Sequence, residues 1–222
     1  MNVIKAVVRS STEPLHKRVV SCLLNSNFRL RTGTMRLFIA LVLLCFLVGF
    51  AHAKPSVVTR HNFYSISGVT SHDLRAQMEK SGPGAKSKLK GDARTKWLVN
   101  WKFGLKQVAG GCRVHKIATS VNVTFIMPHW KNADKGSLEL RERWQNYTKA
   151  LQNHENGHSD LAIKAAQEIE TVLPGLSPMR SCSEMERTAN RTAIDIVNSY
   201  KKKEEYYDIL TVHGMTQGAS FR

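Results

Sequence analysis

The stretch Leu151-Gln152-Asn153-His154-Glu155-Asn156-Gly157-His158 decides how this chain is read. Around it, Leu151, His154, His158, Leu161, Ala165 and Ile169 recur at spacings of three and four, the period of a helix with one buried face. No proline lies between Leu138 and Leu173, and Gly157 is the only glycine there. The pattern therefore predicts one long helix, or two joined near Gly157, ending at Pro174-Gly175. On a helix, positions i and i+4 share a face, so His154 and His158 present two imidazoles to one point. Glu155 stands one residue round, beside that point. H-E-x-x-H on a helix is the arrangement in which two histidines hold a metal and the glutamate takes a proton from water. The competing reading is a pair of packed or solvated histidines. The helical context weighs against it, and Zn2+ is the expected ion.

Downstream, a loop with Pro178 and Cys182 leads to a second helix from about Ser183 to Glu205. Met185, Ala189, Ala193, Ile196 and Val197 are candidates for its buried face. Residues Tyr206 to Arg222 lack periodicity and read as an irregular segment, of the kind that often serves a site. Upstream, His61 to Val69 alternates as a first strand. Ser71 is the expected N-cap of a short helix through Lys80, stopped by Gly82-Pro83-Gly84. Residues 84–94 read as a loop. Trp97 to Lys106 and Cys112 to Met127 alternate as half-buried strands around Gly110-Gly111, an antiparallel hairpin closed by Pro128. The expected class is α+β: a small antiparallel sheet packed against a long helix bearing H-E-x-x-H and a second, C-terminal helix.

The first 53 residues read differently. Leu37 to Phe50 is an uncharged apolar run of 14 residues, preceded by Arg29, Arg31 and Arg36 and followed by Ala51-His52-Ala53. A basic stretch, a short apolar run and a small-x-small site make a signal peptide over 35–53, starting at Met35. The run is short of the roughly 20 apolar residues a membrane span needs. Residues 1–34 are expected to be an upstream extension from a misplaced start, leaving 54–222 as a single domain with no transmembrane segment. Without the leader the chain carries 26 Lys and Arg against 16 Asp and Glu, a formal +10. Such a balance suits an anionic partner such as an envelope polymer. No basic stripe is interleaved with aromatics, so no specific nucleic-acid partner is expected. Of four cysteines, Cys22 and Cys45 fall in the leader, and Cys112 and Cys182 remain. An even pair in an exported domain is most simply a disulfide.

Over nearly all of residues 61–222 the chain resembles the bacterial family of predicted secreted zinc-dependent proteases. The likeness is carried by Tyr64-Ser65-Ile66-Ser67-Gly68, Thr95-Lys96-Trp97, Trp101, Cys112-Arg113-Val114 and Pro128-His129-Trp130. It continues through Leu151 to His158, Cys182, Tyr207-Asp208, Thr211, His213-Gly214 and Gln217-Gly218-Ala219. The resemblance implies a zincin-like metallopeptidase domain acting on a protein or peptide substrate, in the periplasm or outside the cell.

A catalytic zinc has three protein ligands and an open position. His154 and His158 supply two. His213 is the first choice for the third, as a neutral-pH ligand in a glycine-flanked segment that the family shares. Asp208 is the second choice, as ligand or as the carboxylate orienting a ligand histidine. Glu184, Glu186 and Asp195 on the second helix come next. Glu155 is the expected general base, and Tyr207 a candidate donor to an oxyanion, against the plainer reading of a packed tyrosine. Two rivals to the peptidase stand beside it. One is a non-catalytic basic envelope-binding domain with structural metal or none; the other is a zinc hydrolase acting on cell-wall amides.

Overall fold

In the computed structural model, which describes residues 54–85 and 91–221, the central stretch forms one unbroken helix, α2 (Leu138–Val172; β1, α1, β2 and β3 precede it). Ser137 caps it, accepting a hydrogen bond from the Leu140 backbone N–H at 3.2 Å. Gly157 does not interrupt it. An interior helical glycine costs about 1 kcal/mol relative to alanine, yet here a Cβ would overlap the Tyr207 hydroxyl. The missing side chain is the room in which Tyr207 packs. The helix ends in a 3-10 turn, Leu173–Gly175.

Preceding α2 are β1 (Ser56–Ile66), α1 (Ser71–Ser81), β2 (Arg94–Val108) and β3 (Gly111–Trp130), and following it is α3 (Cys182–Thr211). The class is α+β. The three strands form one sheet in the order β1-β3-β2. β2 and β3 pair antiparallel from Val108↔Gly111 to Arg94↔Ile126, with a register shift at Gly104/Leu105. β1 departs from the expected antiparallel sheet: it pairs parallel to β3, from Ser56↔Ser120 to Ile66↔Trp130, so the sheet is mixed. It also starts and ends earlier than His61–Val69. Its residues are almost all exposed, which left little alternation to fix its limits. β3 runs through Pro128 instead of stopping there. Beyond Ile126 it has a neighbour on one side only, where a residue without an N–H is tolerated. Thr70, not Ser71, caps α1, in a reciprocal capping box with Asp73.

The core lies between the sheet and the two long helices. Val121, Val123, Phe125 and Met127 face inward from β3; Ala162, Ala165, Ala166 and Ile169 of α2 and Met185, Ala189 and Ala193 of α3 are wholly buried. Ile196 is buried and Val197 half-buried on the same face of α3. Alanines at these positions let the helices come close. Cys112 and Cys182 form a disulfide that ties the start of β3 to the start of α3 across 70 residues. The described residues fall in one compact unit, His52–Arg222, and none of their helices is long and apolar enough to cross a membrane. The expected upstream extension and signal peptide lie outside the described residues.

The second helix runs to Thr211, well past Glu205, and then turns sharply. Val212, His213 and Gly214 adopt φ of 50, 51 and 85° in succession. A β-branched residue in the left-handed region is strained. That reversal folds the tail back toward α2, where Gly214 packs so closely on His154 that a Cβ would sit 2.9 Å from its ring.

Candidate metal centre

Two helices and the tail build the site. His154 and His158 are buried on the inner face of α2, with ring planes 86° apart and Nε2 atoms 3.3 Å from each other. Asp208, on the last turn of α3, places Oδ1 3.2 Å from His154 Nε2 and 3.1 Å from His158 Nε2. These three donors form a nearly equilateral triangle. A tetrahedral ion with ligands at about 2.0–2.1 Å spaces them about 3.3 Å apart. Two imidazole nitrogens and one carboxylate oxygen converging at that spacing could hold a metal ion, and among the described residues they fit one in both chemistry and size.

The outer nitrogens of both histidines face acceptors, though only that of His154 makes a hydrogen bond. His154 Nδ1 lies 2.9 Å from Gln217 Oε1, and Gln217 Nε2 donates to the Tyr207 hydroxyl at 3.0 Å. Tyr207 stacks flat on His154, with centroids 5.0 Å apart and planes at 11°, and its hydroxyl donates to the His154 carbonyl at 3.2 Å. His158 Nδ1 lies 3.2 Å from Glu204 Oε1, which also accepts from Trp97 Nε1 at 3.0 Å. An acceptor at Nδ1 draws the proton to that nitrogen and leaves Nε2 with a lone pair for a metal.

Protonation competes with a cation for the same Nε2 atoms, which face Asp208. Burial pushes His158 down, but the carboxylates of Asp208 and Glu204 outweigh it and raise its pKa to about 9. Burial pushes Asp208 up, yet hydrogen bonds from His154 and His158 hold it well below the usual carboxylate range. Glu155 differs from both. It is buried at 4 % exposure and accepts from Thr95 Oγ1 at 2.6 Å. Desolvation raises its pKa against the lowering effects of Thr95 and the two histidines. A cavity of about 480 Å3 borders this group, lined by Arg94, Thr95, Trp97, His154, Glu155, His158 and Asp208 among others.

Asp208, the second choice for a third ligand after His213, occupies the third corner of the triangle. His213 points its Nδ1 at the far oxygen of Asp208, Oδ2, at 3.6 Å, and its side chain is 47 % exposed. Glu184, Glu186 and Asp195 lie 24, 22 and 13 residues before Asp208 on α3, about 20 Å or more along the axis at 1.5 Å per residue. Tyr207 does not line the cavity; its hydroxyl is committed to His154 and Gln217. Its ring packs on His154, the plainer of the two expectations for this residue. Thr95, Glu204 and Gln217 contact the three central side chains and carry no motif of their own. Only their presence in shared segments, for Thr95 and Gln217, pointed to them.

Residues 61–214 match the family described as "Bacterial protein of unknown function (DUF922)", and the chain belongs to it. No curated protein and no solved structure matches the chain.

Proposed function

We propose that this chain is a zinc-dependent peptidase in which His154, His158 and Asp208 hold Zn2+ and Glu155 is the general base. One observation carries the reading: three donors at 3.1–3.3 Å, with a buried carboxylate beside them that belongs to the same cavity but not to the ligand set. Zinc, when bound, supplies a Lewis acid that polarises a carbonyl and lowers the pKa of a water. Glu155 takes the proton of the attacking water and returns it to the leaving amine. Its raised pKa brings it nearer neutrality, where one group can both accept and give a proton. Thr95 holds its Oε2 and leaves Oε1 for that proton. Gln217 and Glu204 favour the ligating tautomer of the histidines, Tyr207 holds the His154 ring by stacking, and His213 lies beside the outer oxygen of Asp208.

Three protein donors opening on a cavity favour a catalytic site over the closed, four-ligand arrangement of structural zinc. That weighs against the non-catalytic envelope-binding alternative. Export to the periplasm or beyond, with residues 35–53 as the signal peptide and 54–222 as the mature zincin-like domain, completes the proposal. The disulfide supports it, since such bonds persist in oxidising compartments. The formal +10 of that domain leaves an anionic envelope polymer as a partner, and a cell-wall amide as the rival substrate.

The test is Glu155→Gln in purified mature protein, with metal analysis and a peptide-hydrolysis assay with and without chelator. The amide fills the same space but cannot accept the proton, so metal content is retained while the rate falls by about 10²–10⁴. A variant as fast as the parent refutes the peptidase.

A further inference from the structure

A second cavity, of about 610 Å3, adjoins the metal centre. The two share Gly91, Asp92, Leu151 and His213 in their linings, so they form one continuous depression. The volume falls in the ordinary range of ligand pockets, about 300–1,000 Å3. Nothing in the metal chemistry uses it.

Its lining has an apolar side and a charged one. Met78, Leu151, Ala219 and Phe221 are buried and contribute its deeper part, whereas Val212 and Met215 keep 48 % and 43 % exposure and form a rim. The charged groups in the lining pair mostly with one another, although Arg75 Nε makes no hydrogen bond. Asp92 receives both terminal nitrogens of Arg75 and the Tyr147 hydroxyl, and Glu79 lies 3.3 Å from Arg75 Nε. A charged visitor would have to compete with a bidentate pair or be buried without a partner. An apolar visitor meets neither cost and gains by leaving water. Two methionines, with flexible thioether chains, allow the walls to adapt to aromatic or aliphatic shapes.

We propose that this cavity receives a large apolar side chain, Leu, Met or Phe, of a peptide whose adjoining backbone crosses the metal centre. Selective cleavage beside that residue rests on the peptidase reading; the binding preference rests on the cavity alone. Specificity then comes from the tail. The left-handed reversal at Val212 that brings Gln217 to His154 also brings Met215, Ala219 and Phe221 into the pocket wall.

The experiment uses two readouts. Zinc-loaded Glu155→Gln protein is titrated with pentapeptides that differ only at the central residue, by fluorescence anisotropy. Leu and Phe should bind roughly tenfold or more tighter than Ala, Asp or Lys, the scale of discrimination an apolar pocket achieves. Adding Ala219→Phe should erase that ratio by filling the pocket. Met215→Trp, at the exposed rim where folding is not at stake, should reduce it. The parent protein is then given a peptide mixture and its cleavage sites are mapped by mass spectrometry; they should cluster next to Leu, Met or Phe at one position. Binding without an apolar preference, or a preference untouched by both variants, overturns the inference even where peptides are cleaved. An apolar preference in binding with no cleavage by the parent supports the pocket and removes the peptidase.

Discussion

His154 and His158 sit on a helix face that stays apolar and buried in both directions, with Leu151 before them and Ala162 and Ala165 after. Glu204 and Asp208 sit on the opposite kind of helix end. There the outward residues Tyr206, Ile209 and Leu210 are 60 %, 70 % and 58 % exposed, and the inward ones are acidic. The α2 half of the centre is therefore positioned by core packing. The α3 half is positioned by polar bonds and by a strained left-handed cap that returns the tail beneath His154. One ion site thus draws rigidity from two physical sources. Packing holds a ligand whether or not the ion is there, whereas a converging set of charges is most comfortable when it is.

The largest effects should come from removing a corner on either side. His158→Ala, from the packed half, and Asp208→Ala, from the polar half, should both lose stoichiometric zinc by metal analysis, and hydrolysis with it. Zinc retained at the parental level by Asp208→Ala would break the symmetry and return the third corner to another residue.

Next come the groups that bind the histidines from behind. Gln217→Leu acts on His154 and Glu204→Leu on His158. Each should weaken zinc affinity by about 10–100-fold, the usual cost of losing a group that orients a ligand histidine. Competition with a fluorescent chelator measures it. His154 also has Tyr207 stacked upon it and Thr211 Oγ1 3.4 Å from Nδ1, so Gln217→Leu should be the milder of the two. Equal losses would mean that stacking contributes nothing to holding the ring.

The same contrast explains what could be read from the sequence. The α2 motif was legible because Leu151, Ala165 and Ile169 continue its helical period on both sides of the histidines. The end of α3 was not. Its inward positions 204, 208 and 211 carry Glu, Asp and Thr, and its outward ones carry Tyr, Ile and Leu, so the hydrophobic pattern is inverted where the helix serves the site. By pattern Asp208 falls in an irregular tail, where nothing separates a ligand on a helix facing α2 from a nearby histidine. β1 was misjudged for a related reason: an edge strand exposed along its length carries no alternation to fix register or direction. The disulfide was legible by counting, since only two cysteines remain after residue 53.

Gly157→Ala probes the contact between the two halves. On an isolated helix this change gains about 1 kcal/mol. Here the added methyl meets the Tyr207 ring and hydroxyl, so the sign should invert, with a loss of about 1–3 kcal/mol typical of overpacking. Denaturant melts measure it. Combining Gly157→Ala with Tyr207→Leu should recover part of the loss, whereas strict additivity would mean that the ring moves aside freely.

The smallest effect should come from His213→Ala, and it is the one that most sharpens the comparison. His213 is the residue that chain chemistry favoured as third ligand, yet its Nδ1 faces the outer oxygen of Asp208 at 3.6 Å from a half-exposed position. A half-exposed contact of that kind is worth at most about 1 kcal/mol, which is a few-fold in affinity. Zinc binding by His213→Ala should therefore stay within about fivefold of the parent, while Asp208→Ala loses the ion. A drop as large as that of Asp208→Ala would mean that the left-handed cap swings His213 inward when metal arrives. In that case the strain at Val212 and His213 belongs to binding the ion and not to placing Gln217.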